Sequence, residues 1–73
     1  MNVNATIEEN LKSMMDKKAY ITLNSGKTFI GIVKEVGEKL VKLEKLDDKE
    51  FHDALLSIES ITAIHSRTRK FKT

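Results

Sequence analysis

From Ala19 to His65 the hydrophobic pattern runs with a period of two, through five short runs separated by turns of a few residues. Ile21 and Leu23 alternate with Tyr20, Thr22 and Asn24 in the first run, and "NSGK" (Asn24 to Lys27) closes it as a hairpin turn, with Gly26 supplying a positive φ. The second, Thr28 to Val36, carries the β-branched Thr28, Ile30, Ile32, Val33 and Val36. Gly37-Glu38 turns into a third, Lys39 to Leu46, and the charged "DDKE" (Asp47 to Glu50) leads to a fourth, Phe51 to Ile58. After a break at Glu59-Ser60, Ile61 to His65 is the fifth. Five strands in so few residues bury a core only by curling, so a strongly bent antiparallel sheet or small barrel is expected. Gly31 falls inside the longest strand, where glycine costs stability, and marks the place where that strand bends or another backbone comes close.

A helix is expected before the strands, over about residues 6–17. Thr6 and Glu9 have capping-box spacing, and Ile7, Leu11, Met14 and Met15 recur on one face. Lys17 and Lys18 then suit the negative end of the helix dipole. Residues 1–65 form one domain, and 66–73, "SRTRKFKT", read as a basic tail without periodicity.

A chain of 73 residues has a marginal core and usually needs a staple. The chain has no cysteine, so disulfides and thiolate metal sites are out, and two histidines are too few for a structural zinc without carboxylates. Self-association is the staple that remains. The start is polar and acidic, unlike a signal peptide, and no apolar run approaches the roughly 20 residues of a membrane span. A soluble, cytoplasmic protein without a membrane partner is therefore expected. Arg67, Arg69, Lys70 and Lys72 take four of the 13 basic residues into the tail, leaving nine against 11 acidic ones in the body. Such asymmetry fits either a solvated terminus or an anionic partner such as nucleic acid.

The pattern Ile21-x-Leu23-x-x-Gly26-x-x-x-x-Gly31-x-Val33, continuing through Val36-Gly37 to Val41 and Leu43, resembles the Sm-like superfamily, in particular its bacterial Hfq branch. The resemblance covers about residues 6–65. It implies a helix lying across an open five-stranded barrel whose second strand bends at a glycine. It also implies rings of six or seven subunits, in which the fourth strand of one chain pairs with the fifth of the next. Phe51, Ala54, Leu55 and Leu56, with Ile61, Ala63 and Ile64, would line that contact. Unpaired, such apolar edges invite aggregation, and a closed ring removes them.

The departures fall on the residues this superfamily uses to hold RNA. Gly37 stands where an aspartate is usual, and Val41 where eukaryotic and archaeal members have asparagine. Glu38-Lys39 replace the Gln-Phe of the Hfq branch, Ile58-Glu59 its Lys-His, and Ser13, Met14 and Asp16 its rim arginines. The resemblance therefore implies the fold and the ring more strongly than the RNA pocket.

Two non-catalytic functions follow. One is a homo-oligomeric ring that binds RNA as a chaperone or scaffold, using Lys39, Arg67, Arg69 and Lys70, with Phe71 as a stacking side chain. The other is a protein-interaction scaffold of the same fold that has lost RNA. Tyr20 and Phe29 are assigned to the core or the barrel surface. An enzyme is not expected, nor a cofactor, a metal or a small-molecule substrate. His52-Asp53 sit in a strand, where neighbours point to opposite faces, and Ser25-Gly26-Lys27-Thr28 lack the upstream glycine and following helix of a phosphate loop.

Overall fold

A computed structural model describes residues 1–68. It contains α1 (Ile7–Lys12), β1 (Lys18–Leu23), β2 (Thr28–Val36), β3 (Leu40–Asp47), β4 (Glu50–Ser57), a single 3₁₀ turn (Ile58–Ser60) and β5 (Ile61–His65). The strands form one antiparallel sheet in the order β4-β3-β2-β1-β5. The architecture is mainly β, with a short N-terminal helix, and is consistent with a small β-barrel-like fold.

The helix starts where the capping box places it. The Thr6 hydroxyl accepts from the Glu9 amide at 3.1 Å, and the Thr6 amide donates to the Glu9 carboxylate at 2.9 Å. The Thr6 backbone amide, and after it the Thr6 side chain, hold the Glu9 carboxyl below its usual value. Stability from the ionised Glu9 is thus fully present at neutral pH and is lost as pH falls through the lowered folded-state value. Thr6→Ala is expected to lower stability by about 1 kcal/mol. Urea denaturation at pH 7 checks this.

The helix is shorter than its apolar stripe suggests, ending at Lys12 rather than near residue 17. The Ser13 hydroxyl donates back to the Asn10 carbonyl at 2.6 Å, and the Met14 and Lys17 amides bond three residues back, to Leu11 and Met14. Asp16 takes a left-handed φ of 63°. The reason for the early end lies in β2: the Val33 carbonyl accepts from the Asp16 amide and the Val33 amide donates to the Lys17 carbonyl. Main-chain groups committed to a strand cannot also continue a helix. Met14 stays buried beyond the helix end, while Met15 is exposed. Lys17 and Lys18 consequently lie outside the helix, and Lys12 is the basic residue of its last turn.

Of the two readings of Gly31, a bend or a close backbone approach, the structure shows the close approach. A Cβ there would stand 2.8 Å from the Glu44 carbonyl oxygen and 3.1 Å from the Lys45 side chain. The main chain of β3 occupies the space a side chain needs. Gly26 turns β1 into β2 with φ of 90°. Gly37 also lies in a turn, but the nearest atom to a Cβ there is 3.5 Å away, an ordinary contact. Register shifts between Val33 and Glu35 and between Thr22 and Leu23 add to the coiling of the sheet.

The concave side encloses Leu11, Met14, Ala19, Ile21, Val33, Val41, Leu43, Leu56 and Ile61. Helix, connecting turn and all five strands each contribute, so no element can leave without opening the core. Leu56 and Ile61, expected at a subunit contact, place their side chains here, each only 5% exposed. The β3–β4 hairpin closes through Asp48 and Lys49, both with positive φ, 48° and 67°. Asp tolerates that conformation and Gly prefers it, whereas Lys is strained. Lys49→Gly is therefore expected to raise stability by about 1 kcal/mol, read as a higher urea midpoint with an unchanged slope.

Candidate nucleic-acid interface

Pairing of β1 with β5 brings together residues far apart in the chain. Tyr20 lies opposite His65, and on its other side opposite Ile30 of β2. Next to this row an open cleft of about 470 Å³ is lined by Lys17, Lys18, Tyr20 and Arg67, with Met1, Ser13, Met14 and Ser66. Among the described residues no carboxylate lines it. The nearby Asp16 carboxylate is 3.5 Å from Lys34. Tyr20 is half-buried, so its ring is held in place, and the Lys18 ammonium sits 5.5 Å from its centroid. Lys17, Lys18 and Arg67 are exposed. The cleft thus offers a half-buried aromatic face beside exposed cations, a combination suited chemically to a base and its phosphates.

Of the tail residues expected to bind nucleic acid, Arg67 lines this cleft. Arg69, Lys70 and Phe71 lie outside the described residues. Lys39 is exposed in the β2–β3 turn and lines a separate cleft with the carboxylate-bearing Glu38 and Glu59. Lys39 and Arg67 are not brought into one site.

Lys17, Lys18 and Tyr20 were not legible as a site from sequence. The two lysines matched a helix C-terminus, and Tyr20 matched a strand residue with no assigned partner. Their only sequence signal was two adjacent lysines two positions from an aromatic residue. Phe29 is half-buried against the core, with the Lys27 and Lys45 ammoniums 5.2 and 5.3 Å from its ring centroid.

The sheet leaves two edges. Among the described residues β4 pairs only with β3, and β5 only with β1. On β4 the side chains of Phe51 and Leu55 are 71% and 64% exposed, a large apolar area for an edge. Ala54, Ala63 and Ile64 are half-buried. The expected interface set therefore splits, with Phe51 and Leu55 outward, Leu56 and Ile61 in the core and the others between.

His52 and Asp53 are both exposed on β4, and Ser25 to Thr28 lead directly into β2 without a helix. Among the described residues no group of three or more His, Cys, Asp or Glu stands close enough to hold a metal ion. No helix among them is long and apolar enough to cross a membrane.

In comparisons with known proteins, no family model matches the chain, nor does any curated protein or solved structure. What fold and cleft define is a class: a small, mainly β protein with, among the described residues, two open sheet edges, and a cationic cleft built around one tyrosine.

Proposed function

We propose that the chain is a non-catalytic RNA-binding subunit that assembles edge to edge into a homo-oligomeric ring of the Sm-like kind. The carboxylate-free cluster of Lys17, Lys18 and Arg67 around Tyr20 carries this reading. Lysine and arginine neutralise phosphates, and a half-buried tyrosine presents a stacking face without having to be ordered on binding. The β4 and β5 edges, unpaired among the described residues, with Phe51 and Leu55 exposed, support assembly. In a ring the clusters repeat at each subunit and give a strand a continuous cationic track.

The second reading, a protein-interaction scaffold, has its own observation in its favour. The turn that carries Lys39 is flanked by Glu38 and Glu59, which repel phosphate. Titration with short A-rich and U-rich RNAs at moderate salt separates the two. The RNA reading expects binding that weakens steeply with salt, and a Lys17→Ala/Lys18→Ala variant whose salt slope is smaller by about two. Tyr20→Ala is expected to cost about 1–3 kcal/mol of affinity. Absence of binding to either RNA leaves the scaffold reading in place. Light scattering tests the ring, expected at the mass of six or seven chains.

A further inference from the structure

We propose that the Tyr20 cleft is a half-site, completed by Phe51 of a second copy whose β4 pairs with the open edge of β5. The inference rests on the assembly and RNA binding proposed above.

Residues directly opposite one another in a sheet share a face. The pairs Asp53–Glu44, Glu44–Ile32 and Ile32–Lys18 therefore form one row across four strands. Phe51 is two residues from Asp53, and Tyr20 two from Lys18, so both rings belong to that same convex face. They stand at opposite ends of it, Phe51 on the β4 edge and Tyr20 one strand inside the β5 edge. Within one chain they cannot meet. A second β4 added to β5 continues the face, and its Phe51 then comes next to His65, which lies opposite Tyr20. Two strand spacings, about 10 Å, separate the two aromatic residues. Rings leaning toward each other over that gap would hold a base between them.

Charge chooses the direction of pairing. The residues leading into β4, Asp47, Asp48, Lys49 and Glu50, set three carboxylates against one ammonium. The end of β5 leads into Arg67, which shares its cleft with Lys17 and Lys18, whereas Glu59 precedes its start. Antiparallel addition lays the acidic start of β4 beside the basic end of β5 and brings Phe51 to Tyr20. Parallel addition sets that acidic start beside Glu59, leaves only the single carboxylate of Glu59 for the basic end, and carries Phe51 to the far end of β5. Antiparallel addition, with Glu59 meeting its own copy at the other end, pairs more opposite charge. The occupant of this edge is thus a second copy of the chain, antiparallel, with Phe51 as its contribution to the site.

The full chain has no cysteine, so introduced pairs report unambiguously. Residues facing each other in antiparallel strands have Cα atoms about 4.5–5.5 Å apart, a separation that a disulfide bridges. Phe51→Cys combined with Ala63→Cys, His65→Cys or Arg67→Cys samples the convex-face positions along β5. One of these pairs is expected to give a ladder of covalently linked chains under mild oxidation; no ladder from any of them overturns the seam, whether or not RNA binds. The second arm measures RNA binding. Tyr20→Ala and Phe51→Ala are each expected to weaken binding at least tenfold, compared at chain concentrations where light scattering gives the wild-type assembly mass. Co-expressed in equal amounts, the two variants leave about a quarter of head-to-tail seams with both rings intact, and about a quarter of the wild-type tight sites are expected to return. A ladder with RNA bound by wild type but no recovery in the mixture overturns the role of Phe51 in the site. A ladder with no RNA bound by wild type upholds the contact between copies and overturns the RNA reading.

Discussion

Leu43→Ala is expected to lower the free energy of unfolding by about 2–5 kcal/mol, the range for removing a fully buried leucine side chain and leaving a cavity. Leu43 has no exposed surface and lies in the middle of β3, opposite Val33 of β2 and Ala54 of β4. Its neighbours belong to paired strands that cannot collapse inward without giving up ladder hydrogen bonds. A domain of this size has about 5 kcal/mol in hand, so the variant should be largely unfolded well below the temperature at which wild type melts. Urea denaturation at fixed chain concentration measures it, because assembly would make apparent stability depend on concentration. Leu55→Ala is the matched control on the same hairpin. Its side chain is 64% exposed in the single chain, so it should leave the stability of the subunit nearly unchanged and act on the mass of the assembly. Equal losses at both positions would mean that the core is not centred on β3.

Gly31→Val is expected to be nearly as damaging, for a different reason. Its first added atom would sit 2.8 Å from the Glu44 carbonyl oxygen, and that obstacle is main chain, which has no rotamer to move to. β3 must shift away from β2, which loosens the pairs around Ile32–Glu44. Overpacking of this kind costs about 1–3 kcal/mol, and the two further methyls of valine place it at the upper end. Gly31→Ala should already show part of the loss, with faster amide exchange confined at first to β2 and β3. An alanine variant as stable as wild type would show that β3 does not approach so closely.

The legible parts of the fold are those set by neighbours along the chain. Thr28 to Val36 and Ile61 to His65 are strands to the residue, because β-branched side chains and alternation mark them locally. The helix start at Thr6 was equally legible, since a capping box is completed within four residues. Its end was not. The stripe of Leu11 and Met14 is consistent with a longer helix, and only Val33, drawing on the Asp16 amide and the Lys17 carbonyl, ends it. Among apolar edge residues, alternation alone does not say which face of β4 turns inward; the helix and β3 take Leu56 and leave Phe51 and Leu55 outside.

The candidate site lies almost wholly on the non-local side. A basic tail beginning at Arg67 can be read from composition, but its neighbours cannot. Lys17, Lys18 and Tyr20 join Arg67 because β1 and β5, the first and last strands, pair in a register that sets Tyr20 against His65. What the chain determines residue by residue is the alternation of faces, the turn at Gly26 and the need for space at Gly31. Which cations meet which ring, and which strands among the described residues lie at the edges, was decided only when the strands paired in the order β4-β3-β2-β1-β5. Pattern acts over a few residues, whereas pairing between distant strands is selected by the burial of one shared core.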